Sequence, residues 1–224
     1  MTRNAGLVGL GMICLAAGAA GAMIVQASDR PPAAGSSPRM SFFIASHGGD
    51  GGNLGGLEGA DRICADLARA AGSTRRDWRA YLSTTAVDGG RAVNARDRIG
   101  AGPWFNARGE EVGRTVADLH RPGSPINKET ALDERGTAIS GRGDTPNRHD
   151  ILTGSDAAGR AVPDRNCANW TSAAAGMARV GHFDRTGGGQ AGTSWNSAHD
   201  SKSCSAPDLK ATGGDGLFYC FARS

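Results

Sequence analysis

The sequence predicts one exported domain that mixes helices and strands and is cross-linked by disulfides. Three observations carry this reading. An uncharged leader follows Arg3, an even set of four cysteines remains behind it, and short apolar runs alternate with one amphipathic stretch. Cysteines in even number behind an export signal read as a disulfide framework, which belongs outside the reducing cytoplasm.

The leader runs uncharged from Ala5 to about Val25 and carries the fifth cysteine, Cys14. Small residues offer two cleavage sites, Ala20-Gly-Ala22 and Val25-Gln-Ala27. Cleavage after Ala27 is the expectation, giving a signal peptide over 1–27 and a Pro/Gly/Ser-rich flexible linker over 28–39. An uncleaved anchor is the alternative, since the apolar run nearly reaches spanning length; it is the one route to a membrane. Gly11-Met12-Ile13 lacks the small residues that a lipid-attachment site would place before Cys14. The expected location is therefore secreted or periplasmic.

Residues 40–224 form the expected domain. Gly accounts for 35 of 224 residues, roughly twice the usual ~7%, without a three-residue period, so many turns and ordered loops are expected instead of a fibre. The net charge is +3, with both signs interleaved from Glu58 to Arg121. No basic stripe of the kind nucleic acid requires is present.

Each element follows from its local pattern. Ser41-Phe-Phe-Ile-Ala-Ser46 is a short apolar strand before a turn-rich segment. Leu57, Ala60, Ile63, Cys64, Leu67, Ala68 and Ala71 recur at helical spacing, and Gly72 stops the helix. Trp78-Arg-Ala-Tyr-Leu-Ser83 alternates as a half-buried strand. A short helix is expected around Val93 to Ile99, and a strand at Gly102-Pro-Trp-Phe-Asn106. The stretch from Arg114 to Gly159 reads as irregular, Ala173 to Ser194 as polar and Gly-rich, and Gly216-Leu-Phe-Tyr-Cys-Phe-Ala222 as a closing strand. Long loops with so little to bury need disulfides and a few strands to hold them.

Several of these segments carry a resemblance in order along the chain. They are Gly59-Ala-Asp-Arg-Ile-Cys64, Trp78 to Ser83, Leu152-Thr-Gly-Ser-Asp-Ala-Ala-Gly-Arg160, Cys167-Ala-Asn-Trp-Thr171, Cys204 and Leu217-Phe-Tyr-Cys220. Together they resemble the endostatin domain, a C-type-lectin-like module. The chain is similar in particular to small exported bacterial lectin-like proteins, in which blocks like Val180-Gly-His-Phe-Asp-Arg185 and Ser194-Trp-Asn-Ser-Ala-His199 recur. The resemblance implies a C-type-lectin-like α+β fold. Its sheet would be mixed and mainly antiparallel, with paired first and last strands, two flanking helices and long loops. It also implies nested disulfides, Cys64–Cys220 and Cys167–Cys204; the sequence alone leaves three pairings open.

The resemblance raises the question of a sugar site. Calcium-dependent lectins use a Glu-Pro-Asn or Gln-Pro-Asp loop and a downstream Trp-Asn-Asp, whose oxygens suit a hard cation. Here Trp195-Asn196-Ser197 replaces the last Asp with Ser, and Val162-Pro-Asp164 lacks the preceding amide or acid. Calcium is the one cofactor this pattern suggests, and only in part. The zinc site of endostatin, built on N-terminal histidines, is not carried over, because Ser28–Pro38 has none.

A second constellation is His182, Asp184, His199 and Asp200. Two imidazoles and two carboxylates suit a metal or an acid–base pair, although their spacing matches no His-Glu-x-x-His signature. Satisfied loop residues are the more common outcome, and no metal is assigned. No catalytic residue is named either. The expected function is a non-enzymatic lectin-like protein meeting a glycan or glycosylated surface through loops 121–166 and 177–215. His182, Asp184, Trp195, Asn196, His199 and Asp200 are the candidate lining. An adhesin for extracellular-matrix-type protein is the alternative, and a metal-dependent hydrolase a third.

Overall fold

The computed structural model describes residues 36–87, 89–189 and 191–223. The leader, its cleavage sites, Cys14 and most of the expected linker lie outside the described residues. The domain itself is α+β, built on a mostly antiparallel sheet. Its strands are β1 (Phe42–Ile44), β2 (Trp78–Ala80), β5 (Asp150–Leu152), β6 (Arg179–His182), β7 (His199–Asp200) and β8 (Gly214–Ala222). A separate ribbon pairs β3 (Trp104–Phe105) with β4 (Glu111–Gly113). Helices are α1 (Gly56–Ala70), α2 (Val116–His120), α3 (Cys167–Trp170) and α4 (Ala206–Ala211).

Strand β8 organises the sheet. It pairs antiparallel with β1 and β2 and parallel with β5, and the order continues from β5 to β6 and β7. Successive side chains of a strand point to opposite faces, and both faces of β8 are covered. Phe218 and Cys220 pack with Phe43, Trp78, Trp170 and the buried face of α1. Leu217, Tyr219 and Phe221 pack with Phe42, Tyr81, Trp104, Phe183 and Trp195. A strand buried on both sides reads as a continuous apolar run, which is the sequence character of its second half.

Helix α1 buries Ala60, Cys64, Leu67 and Ala68, the i, i+4, i+7, i+8 stripe expected of an amphipathic helix. Its Cys64 is bonded to Cys220 of β8, and Cys167 to Cys204, so the nested pairing is present. Disulfides of this kind place the fold in an oxidising compartment. Among the described residues no helix is long and apolar enough to cross a membrane.

Three expectations about local structure change, the first being that four helices are present among the described residues where two were expected. The helix around Val93 to Ile99 is only a 3-10 turn, Ala95–Asp97, because Asn94 enters it extended and Gly100 leaves it at φ 83°. The Arg98 side chain instead reaches back to Asp61, which also accepts the Ala80 N–H. The long loops, in turn, bury more than their polarity suggests. Leu119, Ile126, Ile139, Phe183 and Trp195 cover the second face of the sheet. At α3 all four residues take left-handed φ, from 49° to 68°, a conformation that costs non-glycine residues roughly 1–2 kcal/mol each. The Cys167 disulfide and Trp170, whose indole N–H donates to Ser83 O, hold it in place.

The Cys64–Cys220 bond closes a span of 156 residues. The double variant Cys64→Ala/Cys220→Ala is expected to lose about 5 kcal/mol in the chain-entropy model. Urea unfolding of the oxidised wild type and the variant measures this, and a loss no larger than that of Cys167→Ala/Cys204→Ala would contradict it.

Candidate metal centre and adjoining cleft

Three of the five histidines in the chain converge on one carboxylate. Asp150 opens β5 and sits directly opposite His182 of β6 in the antiparallel register. His199 of β7 stands opposite Val180, two residues along β6 from His182 and so on the same face. His149 precedes β5, and its ring stacks on that of His182 with centroids 4.0 Å apart. The Nε2 atoms of His149, His182 and His199 lie 3.2, 3.2 and 3.3 Å from Asp150 Oδ1. His149, Asp150 and His182 are buried, while His199 forms the half-exposed rim.

Hydrogen bonding assigns the tautomers. His182 Nδ1–H donates to Gly192 O at 3.0 Å, and His199 Nδ1–H to Asp200 O at 3.0 Å. His149 Nδ1–H donates to Asp184 Oδ1 at 3.3 Å. Carbonyls and carboxylates only accept, so each Nδ1 carries a proton, and each ring turns its Nε2 toward Asp150. Both Asp150 oxygens and His182 Nε2 are buried without a hydrogen-bond partner among the described residues. Asp150 raises the pKa of His199 above its ordinary value, against the effect of burial.

Asp184 stands behind this group. Burial raises its pKa, but the donors His149, Arg142 N–H and Thr186 N–H outweigh that and hold it far below the ordinary carboxylate value. It is an ionised acceptor that orients His149. Asp200 belongs elsewhere: adjacent strand residues point to opposite faces, and its carboxylate pairs with Arg165 and Arg179.

Trp195 and Asn196 serve the other face of the sheet. Trp195 is 3% exposed and donates its indole N–H to Leu119 O. Tyr81, His120 and Tyr219 pack around its ring at centroid distances of 4.8, 5.7 and 5.0 Å. It therefore offers no open face for a sugar to stack on, although it is among the residues that line the adjoining cleft. Asn196 is also committed internally. Its Nδ2 donates to Tyr81 Oη and Asp156 O, and its Oδ1 accepts from Ser194 Oγ. Gly181 makes this packing feasible, since a Cβ there would stand 1.9 Å from Trp195 O.

Above Trp195 an open cleft of about 460 Å³ lies between the end of α2 and the 185–196 segment. Arg121, Ser124, Ala157, Arg185 and Ser194 line it, with His120 and the edge of Trp195 as floor. A polar relay runs beneath: Asn196 donates to Tyr81 Oη, Tyr81 donates to His120 Nε2 at 2.6 Å, and His120 donates to Val116 O at 2.6 Å.

His149, Asp150 and Arg121 were not among the candidate residues of the sequence. The repeated dipeptide was the available signal, because His149-Asp150 matches His199-Asp200. No family model matches the chain, and a search of curated proteins finds no match.

Burial lowers the pKa of His120, reinforced by Arg96 and opposed by the Val116 carbonyl and Asp156. The folded state therefore keeps His120 neutral where the unfolded chain would protonate it. Its contribution to stability is complete above the ordinary histidine pKa of about 6.5 and is lost as pH falls below it. Urea midpoints from pH 8 to pH 5 are expected to fall less steeply in His120→Gln than in the wild type. Equal slopes would contradict this account of the relay.

Proposed function

We propose that the chain is an exported, non-enzymatic, lectin-like protein whose ligand is a carbohydrate or glycosylated surface seated in the cleft. The cleft carries this reading. Its volume falls in the range of small-ligand sites, roughly 300–1,000 Å³, and a few polar groups converge on it, as specific recognition requires. Arg121 and Arg185 bring two guanidinium groups to its walls. Their planar forks suit paired hydroxyls or the carboxylate of an acidic sugar. Arg185 holds φ 56°, a left-handed conformation that glycine adopts more easily. Such an outlier on a cleft wall is a common mark of a functional position.

The resemblance to endostatin-type, C-type-lectin-like domains supports the same reading, and the paired first and last strands and nested disulfides agree with it. An adhesin for protein ligands would need apolar or aromatic anchors on its surface. Among the described residues Val87 is the exposed large apolar side chain, and it lies outside the cleft lining. The His/Asp group favours a metal-dependent hydrolase as a second reading. Its three imidazoles and one carboxylate already supply four donors, however, where catalytic zinc keeps a position open.

A glycan array, run with and without chelator, tests the proposal. Binding is expected to at least one class of sugar, and binding to none would transfer the cleft to the adhesin reading. In Arg185→Gly the affinity for that sugar should fall about 10–100-fold, the value of one charged hydrogen-bonding group. The urea midpoint of the variant should change little, because glycine relieves the turn while the hydrogen bond from Arg185 to Ser124 O is lost. Unchanged affinity would remove Arg185 from the site.

A further inference from the structure

We infer that His149, Asp150 and His182, whose ligand atoms all lie within 4.8 Å of one another, bind one divalent cation of the zinc class, and that His199 closes in from the rim as the fourth donor, clamping β5, β6 and β7 together. Four observations converge on it. The donors are three imidazole nitrogens and one carboxylate oxygen, the set that zinc takes. Each ring is oriented through Nδ1 by a carboxylate or a backbone carbonyl, as metal-bound histidines almost always are. The carboxylate of Asp150 is buried without a hydrogen-bond partner among the described residues. The N···O separations of 3.2–3.3 Å to Asp150 Oδ1 match the three edges that meet at that atom in a tetrahedron of edge roughly 3.3 Å, whose centre lies ~2.0–2.1 Å from each donor.

Electrostatics explains why a cation belongs there. A buried carboxylate and a buried imidazole nitrogen, neither with a hydrogen-bond partner among the described residues, are costly side by side. A divalent ion supplies the missing counter-charge and takes these atoms as ligands. Calcium does not fit this group, because it takes six to eight oxygens. With its four positions filled by protein, the ion would tie strands together and leave no seat for a reacting water.

The site also reaches the cleft through the chain. His182 is a ligand, Gly192 O orients it, and between and after them come Arg185, Ser194 and Trp195 of the cleft. A metal on His182 thus fixes the 183–196 segment from the opposite face of the sheet. This last effect rests on the glycan reading; metal binding itself does not.

The test uses the full chain, exported to an oxidising compartment and purified without chelators. Metal analysis should give about one zinc per chain. Cobalt substituted for it should show the intense visible bands of a tetrahedral ion. Chelation should lower the thermal midpoint by about 10 °C. His182→Ala should lose the cobalt bands. If that variant fails to fold, His199→Gln at the half-exposed rim should lose them instead. Asp184→Asn should weaken zinc affinity about 10–100-fold while retaining the site, as the loss of an orienting partner does. Correctly folded protein that takes up neither zinc nor cobalt, or His199→Gln with unchanged cobalt bands, overturns the inference. Glycan binding is measured on the same samples. Sugar binding without metal would sink the metal site alone, and metal without sugar binding would sink the functional reading alone.

Discussion

Burial of β8 on both faces is the constraint from which the other layers take their positions. Its alternating side chains set α1 and Trp78 on one side and the loop-borne aromatics on the other. Three strands hydrogen-bond to it, and the Cys64–Cys220 bond fixes α1 to the same strand. A Gly-rich chain with few aromatic residues can afford little apolar surface in any one loop. Concentrating Phe218, Tyr219 and Phe221 in one strand gives each loop something large to cover. The second face is closed by side chains that arrive singly, such as Leu119, Ile126, Phe183 and Trp195.

The same sheet separates two kinds of polar chemistry. Asp150 and His182 meet across the β5–β6 ladder, with His199 beside them on β7. Gly181, between Val180 and His182, turns the opposite way and lets the Trp195 backbone approach. One short strand thus supplies a donor to the histidine group on one face and a seat for the cleft floor on the other. The hydrogen bond of His182 Nδ1–H to Gly192 O ties the histidine group to the chain that leads into Trp195.

Local pattern revealed the elements whose stability is local or strongly apolar. The helical stripe of Ala60, Cys64, Leu67 and Ala68 needs only the spacing of its own residues, and the final strand announces itself by its aromatic run. The helix expected at Val93 to Ile99 is a turn that Asn94 enters extended, and Arg98 beyond it reaches Asp61, a contact that spacing does not encode. Trp195 follows the polar, Gly-rich stretch Ala173 to Ser194, and spacing there does not show that it packs with Tyr219 and Phe221 on the second face of the sheet. His182, Asp184 and His199 were legible as candidate polar groups. His149 and Asp150 were not, because strand pairing brings them to His182 from 33 and 32 positions away and their own segment carries too few periodic residues to mark a strand.

What the sequence determined by itself was the cross-linked character of the chain, its one strong helix, and a closing strand apolar enough to be buried twice. These follow from residue type and short-range spacing. The tertiary structure alone decided which carboxylate the three histidines share, which face Asp200 takes and where Trp195 is buried. Those outcomes depend on register between β5, β6 and β7, and register is set by long-range pairing: a shift of one residue in any of the three would send Asp150 and the histidines to opposite faces.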